Sequence, residues 1–244
     1  MKKRMLLTAF IGLMLVMTPG IGHGMHIMEG FLPLTHALAW GAISLPFLVA
    51  GVISLNKAMK KDANAKLYLG LAGGFVFVLS ALKIPSVTGS CSHPTGVGLS
   101  AIMFGPLATT VIGTVVLLFQ AVLLAHGGLT TLGANMFSMA IAGPFVSYGV
   151  FKAMDRLGVK KSYSVFLAAS LGNLCTYVVT AFQLAFAFPD GTGGFVGALT
   201  KFMSIFAVTQ IPLAIIEGIL TAVIYGMILE YGFTRDHTSL TEVI

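Results

Sequence analysis

Six apolar stretches, at residues 36–55, 67–82, 99–125, 136–154, 163–188 and 209–231, are almost free of charge and are of the length that crosses roughly 30 Å of hydrocarbon. Backbone polar groups in lipid must pair within their own segment, so each stretch is expected to be helical. The fold class that follows is an all-α integral membrane protein, a polytopic helical bundle. Composition agrees: 57% of the residues are hydrophobic and only 9% are charged, against roughly 25% charged in soluble domains.

The net charge of +6 would suit a nucleic-acid partner, but its distribution argues otherwise. Lys2, Lys3 and Arg4 head the chain, and most other positive charges fall in two short loops, residues 56–66 and 152–161. Such loops are expected on the cytoplasmic side of a membrane. Cys91 and Cys175 are too few for a disulfide framework.

The first 24 residues read as a secretory-type leader: a basic head, an apolar run from Met5 to Met17, the helix-breaking Pro19-Gly20, then Gly22 and Gly24 at the positions a leader peptidase requires. Cleavage after Gly24 leaves one membrane-embedded domain, residues 25–244, beginning Met25-His26 outside the cell. The alternative is an uncleaved signal anchor, in which Met25 has no free amine. No internal repeat or polar linker divides the remainder.

With Met25 outside, alternation of spans places the loop at residues 84–98 outside as well, and His93 with it. Reaching the second basic loop on the inner side then requires an odd number of crossings where the simple reading offers two. Gly105-Pro106, Gly113 and His126-Gly127-Gly128 are the available breaks. Seven crossings with short, tightly packed helices are expected in preference to a re-entrant segment. The tail after Gly232 falls inside.

A mature chain starting Met25-His26 offers its terminal amine, the His26 amide nitrogen and the His26 imidazole in consecutive chelate rings. His93 supplies a fourth nitrogen from the same side. An all-nitrogen, planar set suits Ni²⁺ or Cu²⁺, and Co²⁺ in the same plane, whereas zinc prefers a tetrahedron. The polar, Gly/Pro-punctuated loop around His93 could orient its imidazole. Several other residues remain open. Cys91 is either a further ligand or a small packed residue, His36 either caps the pocket or sits at the interface, and Glu29 either eases dication binding or is simply solvated. Glu217 is a carboxylate deep in a span, functional by default or paired with a polar group such as Asn173 or Gln183. His126 and His237 read as cytoplasmic-side or loop residues with no partner to name. Small residues four apart, Ala37 with Gly41 and Ala50 with Ser54, permit close helix contact.

The chain lacks a phosphate-binding Gly-x-x-x-x-Gly-Lys-Ser/Thr loop, a His-Glu-x-x-His helix and a Gly-x-Ser-x-Gly elbow. Energy for concentrating a metal would have to come from a partner.

Two segments carry a resemblance: Met-His-Ile-Met-Glu-Gly-Phe-Leu-Pro at residues 25–33 and Pro-Ser-Val-Thr-Gly-Ser-Cys-Ser-His-Pro-Thr-Gly at residues 85–96. They resemble the CbiM/NikM family, the substrate-capture (S) components of energy-coupling factor transporters for cobalt and nickel. The resemblance covers essentially the whole mature chain. It implies metal ligation by Met25, His26 and His93, and a bundle of about six S-component helices plus an additional N-terminal one. It also implies a cell-membrane location, the membrane partners CbiN and CbiQ, the ATPase CbiO, and no enzymatic activity of the chain's own. Met-Glu-Gly after the histidine looks more like cobalt than nickel members, so the expected substrate is Co²⁺ for cobalamin biosynthesis, with Ni²⁺ uptake as the alternative. A metal-dependent intramembrane enzyme would need a catalytic base near the site, for which Glu29 is the nearest carboxylate. A metal sensor would need a longer effector segment than residues 233–244 provide.

Overall fold

The computed structural model describes residues 26–61, 65–85 and 91–230. The proposed leader, Met25, His23 and His237 lie outside these residues. Among the described residues seven helices run in sequence: α1 (Leu34–Lys61), α2 (Ala65–Ala81), α3 (Val97–Phe104), α4 (Pro106–Leu124), α5 (Leu132–Arg156), α6 (Lys161–Ala187) and α7 (Gly194–Glu230). Five of them are long and apolar enough to cross a membrane, and α2, at 17 residues, reaches the lower limit of a span. The protein is therefore a multi-pass helical membrane protein. Leu38, Leu45, Val49, Val52 and Ile53 on α1 are exposed, as are Ile215, Ile216, Ile219 and Val223 on α7. Large apolar side chains left bare on so many helices are what a lipid-facing surface requires.

Between Leu99 and Ala125 the expected single stretch is two helices. α3 has 8 residues, about 12 Å of rise, too short to cross alone. It is surrounded by protein, with Val97, Gly98, Leu99, Ser100, Ala101, Ile102 and Phe104 all buried. Gly105, at φ 81°, ends it, and Pro106 starts α4 at the position where a missing N–H costs nothing. Ser100 Oγ and Thr109 Oγ1, 3.0 Å apart, tie the two helices together. The odd helix demanded by the basic loops is thus this half-length element. It is admissible in a membrane because its ends are enclosed by protein.

Helix α7 begins 15 residues before the expected start at Thr209, giving 37 residues or about 55 Å. The polar residues that obscure this extension are satisfied within the helix: Thr200 Oγ1 donates to Val196 O at 2.9 Å and Ser204 Oγ to Thr200 O at 2.8 Å. Residues 136–142 of α5 are wound as a π-helix, a local widening often found beside functional sites.

The helices approach through small residues. Gly41 of α1 meets Gly133 so closely that a Cβ on Gly133 would stand 2.4 Å from Gly41 Cα, so this small-residue face is used inside the chain. α5 and α6 cross at Gly143 and Gly172, where a Cβ on Gly172 would lie 1.8 Å from Ser147 Oγ and 2.9 Å from Gly143 O. The serine hydroxyl can rotate away but the carbonyl cannot. Gly172→Ala is expected to lower stability by about 1–3 kcal/mol through overpacking, read as a reduced thermal midpoint in detergent. An unchanged midpoint would mean that the two backbones can separate freely.

Candidate metal centre

Three chain segments converge at one end of the bundle, opposite the basic loops. Residues 26–33 lead into α1; a ribbon of two-residue strands, β1 (Ile84–Pro85) and β2 (Cys91–Ser92), lies between α2 and α3; and residues 125–131 join α4 to α5. The first and third segments are laced together. Asn135 at the start of α5 accepts from Ile27 N through Oδ1 at 2.8 Å and donates from Nδ2 to Ile27 O at 2.9 Å. Thr131 Oγ1 donates to the same carbonyl at 2.6 Å. Glu29 N reaches Gly127 O at 3.2 Å, and Gly30 N reaches Thr130 Oγ1 at 2.9 Å. The approach requires glycine: a Cβ on Gly128 would stand 2.5 Å from Glu29 Cα.

The Glu29 carboxylate accepts from the amides of Leu129 and Thr130. Hydrogen bonding from Thr130, followed by that from Leu129, holds its carboxyl below the usual range. It clamps the neighbouring loop at an exposed position and is not aimed among the imidazoles, which removes the nearest candidate for a catalytic base.

Lacing these segments brings His26 to the middle of the bundle end, where it is 1% exposed. His93, fully buried, arrives from the ribbon side. Their ring centroids are 4.6 Å apart, so the structure joins the two described residues that the sequence singled out. It also adds a third. His126, expected without a partner, lies with its ring centroid 4.7 Å from His26 and 5.0 Å from His93. Sequence reasoning missed it because the half-length α3 was needed to bring the end of α4 back to this side. The signal available was its place in His126-Gly127-Gly128, already marked as a break.

One ligand nitrogen from each of the three rings lies within 4.8 Å of the others. Imidazole nitrogens bond a metal at about 2.0–2.1 Å, so two on one ion are separated by up to about 4 Å. Little contraction is required. Among the described residues, Nδ1 and Nε2 of His26, Nε2 of His93 and Nε2 of His126 are buried with no hydrogen-bond partner. Polar atoms removed from water in this way are costly, and a cluster of them calls for a ligand.

The protonation state suits a metal. His93 Nδ1 faces Pro94 O at 2.8 Å, and a carbonyl can only accept, so Nδ1 carries the hydrogen and Nε2 presents a lone pair. Burial is the main force holding His93 down at about 4, with the Lys83 charge adding to it against the Pro94 hydrogen bond. Burial, then repulsion from His93 and Lys83, holds His126 at about 3. His26 is likewise held well below its ordinary value, by burial first and by repulsion from His93 and His126 next. All three are neutral at physiological pH, the form that binds metals.

The ribbon segment is fastened from below. Glu217 of α7, completely buried, accepts from Thr95 N at 2.6 Å, Thr95 Oγ1 at 2.8 Å, Gly96 N at 2.8 Å and Asn173 Nδ2 at 2.6 Å. Of the two partners the sequence suggested, Asn173 is the one used; Gln183 donates to Ala134 O instead, at 3.0 Å. His36 stands apart from the cluster, half-buried, with Nδ1 facing Thr35 Oγ1.

The family model for CbiM, the cobalt uptake substrate-specific transmembrane region, matches residues 26–233. The chain belongs to this family. The match starts at His26 and contains all three clustered histidines, Asn135 and Glu217. Among curated CbiM relatives, the cobalt transport protein CbiM of Thermosipho melanesiensis is 60% identical over 91% of this chain and 94% of its own length. That of Chlorobium limicola is 62% identical over 86% of this chain and 83% of its own. Crystal structures of a transition metal transporter and of a truncated one match with TM-scores of 0.76 and 0.74, at 26% and 28% identity. Each covers 84% of this chain, and 93% and 99% of the respective structure is covered in turn. A CbiM-family bundle therefore carries a buried imidazole cluster at one end.

Proposed function

We propose that this chain is the substrate-capturing subunit of a cobalt uptake transporter, taking Co²⁺ from the extracytoplasmic side of the cell membrane to supply cobalamin biosynthesis. The ligands are the Met25 amine, the amide and imidazole nitrogens of His26, and Nε2 of His93. The observation that carries this reading is the burial of His26 and His93 side by side, with nitrogens that meet no partner among the described residues, His26 standing one peptide bond from the residue that cleavage after Gly24 would make the terminus. Exposed basic residues support the orientation. Lys57, Arg156, Lys160 and Lys161 sit at the end of the bundle away from the cluster, where the cytoplasm is expected. The mature N-terminus is outside and the C-terminus inside.

In this reading the chain hydrolyses nothing. Partner membrane subunits of the CbiN and CbiQ type and an ATPase of the CbiO type supply the energy, and their movement reorients the bundle so that a path opens inward. The relatives' cobalt assignment favours Co²⁺ over Ni²⁺ as substrate.

Mass spectrometry of the purified protein tests the claw directly: the chain should begin at Met25 and retain cobalt. The pH dependence of binding provides the mechanistic check. His93 stays neutral down to about 4 and His126 to about 3, so the imidazoles do not lose affinity on mild acidification. A terminal amine, with an ordinary pKa of about 7.7–8.0, and an amide must both shed protons to bind. Cobalt affinity should therefore fall steeply, by well over about tenfold per unit, as pH drops below that amine value. A flat profile from pH 8 to 5 would mean that imidazoles alone hold the ion.

A further inference from the structure

His126 has no role in the four-nitrogen site just described, yet the chain is bent to deliver it. Ala125 adopts φ 46°, a left-handed conformation uncommon for a residue with a side chain, and Gly127 follows at φ 76°. The His126 amide closes the end of α4 by donating to Gln120 O at 3.1 Å. The result is an imidazole only 6% exposed, whose buried Nε2 meets no partner among the described residues and which offers a ring nitrogen within 4.8 Å of one on each of His26 and His93. Locally strained backbone and an orphaned buried nitrogen are both costs, and they coincide at the point where a metal would be held.

We propose that His126 is a fifth nitrogen donor to the captured ion, lying out of the plane of the other four, and that it biases the site toward Co²⁺ and against Ni²⁺. The inference rests on the claw reading above. Four nitrogens at bonding distance can share a plane around one ion, and the Met25–His26 chelate with His93 fills those positions. A fifth at bonding distance cannot join them, so His126 must approach from one face.

That position matters because of the order in which divalent metals bind. Nitrogen sites hold Ni²⁺ more tightly than Co²⁺ as an intrinsic tendency, so a site for cobalt must obtain its preference from geometry. Ni²⁺ under a strong planar field resists a ligand on its face, whereas Co²⁺ accepts a five-coordinate arrangement. A fixed imidazole over the plane therefore works against nickel and for cobalt. Because Ala125 and Gly127 bracket it and His26 and His93 crowd it, the ring cannot simply swing clear to leave a planar ion undisturbed.

The test uses the full-length protein purified in detergent, with its N-terminus checked by mass spectrometry, and compares wild type with His126→Ala and His126→Phe, the latter filling the space without a donor. Co²⁺ and Ni²⁺ are titrated separately and in competition. Cobalt affinity should drop about 10–100-fold in both variants, the scale on which a lost supporting ligand is felt. Nickel affinity should not fall and should rise by up to about threefold, and the nickel-loaded variants should show the absorption and diamagnetism of a planar complex. Unchanged affinity for both metals would overturn the assignment. So would an equal loss of both, since that would make His126 a packing residue. Failure of the underlying claw is distinguished by the pH profile: a flat profile from pH 8 to 5, with the His126 variants still losing cobalt, would leave His126 a ligand of an imidazole site that does without the terminal amine.

Discussion

His93→Phe should abolish high-affinity cobalt binding while leaving a folded protein. The substitution keeps a ring of similar size in a fully buried position but removes Nε2, the unpartnered lone pair of a ring whose centroid lies 4.6 Å from that of His26. Losing a direct ligand should exceed the 10–100-fold cost typical of an outer-shell partner, so affinity should fall by more than about 100-fold and uptake by cells carrying the complete transporter should reach background. Stability of the metal-free protein should move by only about 1 kcal/mol. Two effects oppose each other there: the bond from Nδ1 to Pro94 O is lost, and an unsatisfied buried nitrogen disappears. Thermal unfolding with and without Co²⁺ makes the outcome readable in one experiment. Wild type should gain about 4 kcal/mol of apparent stability at a thousandfold excess of metal over Kd, and the variant should gain nothing. A variant that still shifts on cobalt addition would exclude His93 from the site.

Much of the bundle was legible from its apolar stretches, because lipid leaves a helix few alternatives. The union of His26 with His93 was legible for a related reason: alternating spans and basic loops put both on one side before any contact was known. What remained hidden depended on places where protein, not lipid, surrounds the chain. α3 can be short because protein surrounds it, with seven of its eight residues buried, so neither its length nor its hydropathy follows the rule for a span. With α3 unresolved in the sequence, the end of α4 had no definite side, and His126 could not be joined to the other histidines. Helix α7 hid its first turns behind Thr200 and Ser204, whose hydroxyls bond to the preceding carbonyls and so remove the polarity that had marked a boundary. Asn135 gave no signal at all. Its role comes from pairing with both polar groups of Ile27, more than a hundred residues away in sequence.

Glu217→Leu should destabilise the bundle severely, and its conservative counterpart should reveal that the residue also serves the metal. The carboxylate is the sole described acceptor for two backbone amides, Thr95 N and Gly96 N, at the point where the chain turns from His93 into α3. Leucine would strand both of them, along with Asn173 Nδ2 and the Thr95 hydroxyl, inside the bundle. At about 1–3 kcal/mol for each of the four donors left unsatisfied, the total reaches or exceeds the roughly 3–5 kcal/mol seen when a buried charged partner is removed. That is enough to deplete the folded protein from the membrane. Glu217→Gln retains one carbonyl oxygen but turns an NH₂ group toward donors, so it should fold with a lower thermal midpoint and let the Thr95–Gly96 turn shift. Because His93 lies two residues before Thr95, that shift moves a ligand nitrogen, and cobalt affinity should fall about tenfold. Asn173→Ala separates the two functions. It removes a single donor from α6 while leaving both amides of the His93 turn bound, and should lower stability with little change in affinity. If Glu217→Gln instead bound cobalt as wild type does, the carboxylate would be a helix fastener with no hold on the metal site.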